Sequence, residues 1–248
     1  MSQTNIPLLS LKNISKQFFG STVLENINFD LYPGEVHAIF GQNGAGKSTL
    51  IQIVTGDIQP SSGKIFLNNE ELKIHSVHKA RELGISAVFQ EFSLVPQLTV
   101  EENLFLGSNN TKGFFLDKKK LHQMACQTME QLEFSIKPEE KIINLSHAEK
   151  RMVEIAKAFH TKPSIMVLDE PTASLAENET NQLFSMIEIL KKEGIGVIYI
   201  THRMKEIYKI SNRITILQDG HVVNTDSVSN INEQRSEERR VGKECRSR

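Results

Sequence analysis

The sequence contains no tryptophan, three tyrosines and two cysteines, Cys126 and Cys245. So few cysteines build no disulfide framework, which excludes the stapled scaffolds of small secreted chains and points to a reducing cytoplasm. Long apolar runs are missing as well. The longest, Ile165–Leu168 and Val197–Ile200, fall far short of the roughly 20 residues that cross a bilayer, so a membrane role is expected only through a partner. The N-terminus lacks the apolar core of a signal peptide. Neither sign of charge dominates, with a formal net charge of −1. What remains is an ordinary globular composition, 39% hydrophobic and 24% charged over 248 residues, enough for one large domain or a domain with a subdomain.

One stretch organises the rest. Val36–Phe40 reads as a buried strand, Gly41–Thr49 as a glycine-rich turn, and Leu50–Val54 as helix. Gly41, Gly46, Lys47 and Ser48 fit the phosphate-loop pattern G-x-x-x-x-G-K-[ST]. Glycines let successive N–H groups of Asn43, Gly44, Ala45 and Gly46 curl toward one phosphate chain, and a helix N-terminus adds a positive pole. Lys47 is expected to reach the β- and γ-phosphates, and the Ser48 hydroxyl to ligate Mg2+. A glycine turn before an unremarkable helix satisfies the same pattern, so the context matters.

Leu8–Asn13 and Val23–Leu31 alternate like half-exposed antiparallel strands, with Lys16–Gly20 between them as a turn carrying Phe18 and Phe19. Lys64–Leu67 reads as a short strand and Ile85–Phe89 as a fully buried one. From about 91 to 160 strand-like runs give way to helical ones. Thr99–Glu102 and Ser146–Glu149 have capping-box form, and Asp117–Phe134 reads as a polar amphipathic helix. Met152, Ile155, Ala156 and Phe159 make one apolar helix face. The α/β rhythm then returns. Ile165–Leu168 and Gly196–Ile200 are buried strands, Glu177–Lys192 and Met204–Ile210 helices, and Ile214–Leu217 with His221–Asn224 a hairpin about Asp219-Gly220. The fold class expected is α/β: a P-loop NTPase with a mainly parallel sheet core, an antiparallel β subdomain and an inserted helical subdomain.

Polar residues end several apolar strands, where open α/β sheets bind ligands. Asp169 and Glu170 follow Ile165–Leu168, Gln90 follows Phe89, and His202 follows Thr201. Asp169 is expected to hold the Mg2+ shell, and Glu170 to orient or deprotonate the attacking water. Gln90 suits the metal or the water, and His202 the γ-phosphate.

On these residues the sequence resembles the nucleotide-binding domain of the ATP-binding cassette (ABC) transporters over residues 6–230. Gly41–Thr49 resembles its Walker A loop, Gln90 its Q-loop, Ile165–Glu170 its Walker B motif, and His202 its switch histidine. Phe18 falls where the family stacks an aromatic on adenine, with Phe19 as the fallback. The signature motif, usually Leu-Ser-Gly-Gly-Gln, reads Leu145-Ser-His-Ala-Glu149. Ser146 survives to present a helix N-terminus to a partner's nucleotide, but Ala148 narrows backbone approach and Glu149 adds an acid. The D-loop, usually Ser-Ala-Leu-Asp, reads Ala173-Ser-Leu-Ala176 and loses its Asp. Met152–Ala158 and Tyr199–Ile207 are similar to the first cassette of carbohydrate-import ATPases of ribose, galactose and xylose type, with nucleoside importers close by.

The resemblance implies ATP and Mg2+ as ligands and ATP hydrolysis coupled to sugar uptake. It also implies integral membrane permease subunits, a second cassette in tandem, an extracytoplasmic sugar-binding protein acting indirectly, and a peripheral place on the cytoplasmic face of the membrane; no nucleic acid is expected. The rival class is a soluble cassette protein acting on ribosomes or DNA, which usually keeps a glycine-rich signature and adds long charged insertions. Residues 235–248 stand apart. With six basic and three acidic residues they carry +3, leaving −4 for the rest. Read back into codons, the segment resembles a common sequencing-library adapter, so it is expected to be a non-native, disordered tail, with the second cassette lost to a truncated reading frame.

Overall fold

The computed structural model describes residues 6–106 and 118–231; the 235–248 tail and Asp117 lie outside them. Among the described residues, ten strands form two sheets. The antiparallel sheet contains β1 (Leu9–Phe18), β2 (Ser21–Leu31), β4 (Ser62–Leu67) and β5 (Glu70–Leu72), in the order β2-β1-β4-β5. The second sheet contains β3 (Val36–Phe40), β6 (Ile85–Val88), β7 (Ile165–Asp169), β8 (Gly196–Thr201), β9 (Arg213–Gln218) and β10 (His221–Ser227). Its order is β10-β9-β3-β8-β7-β6, parallel throughout except for the β9–β10 hairpin.

Burial on both faces explains the unbroken apolar runs in the parallel strands. Along β7 and β8, Ile165, Val167, Ile198 and Ile200 join the core shared with α1 (Lys47–Val54) and the antiparallel sheet. Met166, Leu168, Val197 and Tyr199 point the other way, into a core with α5 (His147–His160) and α6 (Glu177–Lys192). The remaining helices are α2 (Val77–Glu82), α3 (Val100–Phe105), α4 (Lys118–Gln131) and α7 (Met204–Ile210). Among the described residues between 91 and 160 there is no strand.

Three local expectations change. The turn expected over Lys16–Gly20 is shorter: Lys16–Phe18 continue β1, and the reversal falls on Phe19 and Gly20, both at positive φ. Strand β6 stops at Val88, and Phe89 is 39% exposed instead of buried. Its carbonyl turns away to accept a hydrogen bond from Arg151. Helix α4 ends at Gln131, because Glu133 adopts φ +57 and Phe134 folds back with its N–H on the Met129 carbonyl. The Asp219-Gly220 reversal has φ of 49° and 78°, as a two-residue hairpin turn of this type requires. Its tip ties the two sheets together: Gly220 N–H donates to Ala45 O (3.2 Å), and Glu25 N–H donates to Gly220 O (2.9 Å).

Candidate functional site

The loop between β3 and α1 is shaped by where side chains are absent. Gly46 is the N-cap of α1 at φ 101°, a left-handed value that disfavours L side chains. A Cβ there would meet Leu24 Cδ2 at 2.5 Å. With glycine as N-cap, no side chain accepts from the first turn of α1, and no acid sits in that turn. Its N–H groups are therefore left for an anion. Lys47 is buried, and its Nζ donates to the carbonyls of Gly41 (2.9 Å) and Gln42 (3.0 Å), holding the ammonium inside the loop's curve.

Beside this loop lies a cleft of about 460 Å³, within the usual range of small-ligand sites. Asn43, Gly44, Gly46, Lys47, Ser48 and Thr49 form one wall; Gln90, Asp169 and Glu170 come from the ends of β6 and β7, and Val23 from β2. The parallel register makes this convergence: β7 pairs with both β6 and β8, so their C-terminal ends align. Gly41 and Ala45 support the loop from behind, with Ala45 only 4% exposed.

Burial pushes the Asp169 carboxyl above the usual aspartate range and neighbouring Glu170 adds to this, while Lys47 and Arg151 pull it back. Glu170 leaves the strand at φ 44°, an uncommon conformation for a bulky residue that concentrates at functional sites. Its N–H is held by Ile200 O (3.0 Å). That twist carries the carboxylate to within 3.1 Å of His202 Nδ1, which extends from the end of β8. The glutamate side chain is 18% exposed and the histidine 51%, so the pair sits at the mouth of the cleft.

Two expected residues stand elsewhere. Ser146 does not line this cleft. It caps α5: its Oγ accepts from Glu149 N–H (3.2 Å), and the Glu149 carboxylate accepts from Ser146 N–H (2.7 Å). The acid expected to face a partner's nucleotide is thus folded back on its own helix. Phe18 is half-exposed at the end of β1 under Lys16 Nζ, 4.9 Å from the ring centroid, and Phe19 is fully exposed.

Sequence reasoning missed a buried network behind the site. Glu206, on α7, accepts from Thr172 Oγ1 (2.7 Å), Tyr199 OH (2.8 Å), Thr201 Oγ1 (3.0 Å) and Arg203 Nη1 (3.3 Å). Burial, together with the Glu206 carboxylate, raises the Tyr199 phenol far above its ordinary value, so it stays a donor. Arg203 also donates to the carbonyls of Thr172 and Ala173. Four donors on one carboxylate tie the segment after Glu170 to the segment that carries His202. An acid within the apolar pattern of α7 was the available signal.

The donor chemistry can be tested against a divalent cation. Ser48, Gln90 and Asp169 offer a hydroxyl, an amide oxygen and a carboxylate to one cleft. Among the described residues no three His, Cys, Asp or Glu side chains are placed to hold a metal alone. One carboxylate with neutral oxygens fits Mg2+, which binds through few protein ligands when phosphate oxygens complete its shell.

Comparison with known proteins identifies the family and the fold. The model of the family described as ABC transporter matches residues 24–173. A ribose import ATP-binding protein, RbsA 1 of Rubrobacter xylanophilus, is 43% identical over 88% of this chain and 44% of its own length. The galactose/methyl galactoside import ATP-binding protein MglA of Fusobacterium nucleatum is 42% identical over 97% of this chain and 48% of its own. Among solved structures, an ATP-binding cassette of an ABC transporter in its ADP conformation superposes with a TM-score of 0.82 at 25% identity, covering 91% of this chain and 94% of that one. A dimeric bacterial ABC transporter cassette gives a TM-score of 0.76 at 26% identity, covering 90% of this chain and all of that one. The chain belongs to the ABC transporter family and has the P-loop NTPase fold of its ATP-binding cassettes. It spans about half the length of the curated relatives it matches.

Proposed function

We propose that this chain is an ATP-binding and ATP-hydrolysing cassette of an importer, coupling hydrolysis to uptake of a sugar. The observation that carries the reading is the cleft itself: Lys47 and the open start of α1 on one side, Asp169 and the Glu170–His202 pair on the other. The cargo class rests on the relatives, two of which are import proteins for ribose and for galactose or methyl galactoside. We assign residues 6–230 to one cassette, with about 91–160 as its helical subdomain.

The N–H groups of Asn43–Ser48 and the Lys47 ammonium bind the β- and γ-phosphates, and Lys47 neutralises charge that develops between them in the transition state. Glu170 takes a proton from the water that attacks the γ-phosphorus, and His202 holds that carboxylate and the transferred phosphoryl in place. Ser48, Gln90 and Asp169 would hold Mg2+, which would supply charge neutralisation on the phosphate oxygens. Phe18 or Phe19 stacks on the adenine. Ser146 and the start of α5 complete the site of a second cassette; that a similar cassette is dimeric supports pairing of two cassettes. Movement of α3–α5 is passed to integral membrane permease subunits at the cytoplasmic face, which receive sugar from an extracytoplasmic binding protein.

Two measurements test the reading. Lys47→Ala is expected to weaken ATP binding at least about a hundredfold by calorimetry, since it removes a charge aimed at phosphate; retained affinity removes Lys47 from that role. Affinity purification from membranes is expected to recover an integral permease. Recovery of ribosomes in its place overturns the importer.

A further inference from the structure

Arg151 lies on α5, in the second turn after Ser146, and is only 3% exposed. It donates from Nη1 to the Phe89 carbonyl and from Nη2 to the Gln90 carbonyl (2.7 Å). Its guanidinium lies over the Phe92 ring, 4.8 Å from the centroid. One turn further along α5, Glu154 Oε1 accepts from Ser93 N–H (2.6 Å) and Ser93 Oγ (2.9 Å). Residues 89–93 are therefore gripped at both ends by one face of one helix. The grip replaces lost pairing, because β6 stops at Val88 and carbonyls beyond a strand end no longer have ladder donors. Two successive carbonyls match the fork of a guanidinium, a shape the single ammonium of lysine does not reproduce. Burying this cation is costly, and its Nε has no hydrogen-bond partner, so the arrangement is retained against a penalty.

We propose that Arg151 is the positioning residue for Gln90: by fixing the peptide planes at Phe89 and Gln90 from α5, it sets where the Gln90 side chain stands beside Ser48 and Asp169. The inference deepens the proposed function, because it rests on Gln90 serving the metal and its water. It makes α5 a two-ended lever. The end at Ser146 faces a partner, the middle holds this chain's own Gln90, and displacement of one displaces the other.

The experiment compares wild type, Gln90→Ala, Arg151→Met and Arg151→Lys. ATP affinity is measured by calorimetry with Mg2+ and with EDTA, and amide hydrogen exchange is followed over residues 89–93. Gln90→Ala and Arg151→Met are each expected to lose about tenfold of the affinity gained from Mg2+, the size of one charge-assisted hydrogen bond. The affinity of Arg151→Met in EDTA stays within about twofold of wild type, and Arg151→Lys, with one donor restored, recovers part of the gain. Exchange over 89–93 rises about tenfold in Arg151→Met while α1 amides are unchanged. If Gln90→Ala loses the gain and Arg151→Met keeps it, the positioning role is overturned and the site reading stands. If Gln90→Ala keeps the gain, the role of Gln90 fails and the inference falls with it. Equal losses in Mg2+ and EDTA for Arg151→Met make Arg151 merely structural and also overturn it. Should Arg151→Met not fold, Arg151→Lys decides, and behaviour identical to wild type in both affinity and exchange refutes the proposal.

Discussion

Helix α1 starts from Gly46, which has no side chain to offer its first turn, whereas α5 starts from Ser146 and closes a complete capping box with Glu149. The first helix is left electrically open, with no acid in its first turn and with Lys47 turned into the loop. The second satisfies its own donors and carries a negative charge in its first turn. Both starts serve nucleotide in the proposed function, yet only the first leaves its N–H groups open to an anion. The difference teaches that, on that reading, the start at Gly46 suits phosphate, while the start at Ser146 is first a stable helix end. Helix α6 lies between these extremes. Its N-cap Ala176 has no acceptor, and only Glu179 reaches back to the Ala176 N–H (2.8 Å).

The comparison can be broken or sharpened by substitution. The largest effect is expected from Glu170→Gln, which should keep ATP binding and lower phosphate release by two or more orders of magnitude, on the order of what a general base contributes. Unchanged turnover would falsify the base assignment and leave the owned half-site without its chemistry. Gly46→Ala comes next. A Cβ at φ 101° against Leu24 is expected to cost about 1–3 kcal/mol in a denaturant melt and to weaken ATP binding. Ser146→Ala should cost about 1 kcal/mol through the lost cap but leave ATP affinity of the single chain unchanged; a loss of that affinity would erase the distinction between the two helix starts. The smallest effect belongs to Glu149→Gln, since an amide oxygen still closes the box. Its stability change is expected within about 0.5 kcal/mol, while ATP-dependent association, read by sedimentation, strengthens as the acid is removed.

Much of this architecture is legible in the chain, for a physical reason. Strands buried on both faces leave uninterrupted apolar runs, so polar residues such as Gln90, Asp169 and His202 stand out where those runs end. The same logic hides Arg151 and Glu154, and leaves Glu206 only the faint signal of an acid on an apolar helix face. A charged residue on a helix reads as its solvated face, and nothing local shows which carbonyl pair or hydroxyl cluster awaits it across the core. The conformation of Glu170 is equally silent, because its left-handed φ occurs where its N–H is bonded to Ile200, which comes from another strand. Short polar elements such as β5 and α2 carry too few residues for periodicity to register.

The sheet order has a consequence for the birth of the protein. Strand β3, which leads into the phosphate loop, pairs only with β8 and β9: Val36 lies beside Val197, and His37 beside Arg213. Those partners are made long after it. At ribosomal speeds the nascent chain holds the loop for roughly 10–30 seconds before the flanking strands emerge, and the Gly220 tip that donates to Ala45 comes later still. Until then β1, β2, β4 and β5 can pair among themselves, but the strand beneath the loop has no neighbour. Thus the phosphate loop takes its shape only after β8 and β9 are made, and a nascent chain arrested before about residue 200 carries the phosphate-loop residues without the strands that support them.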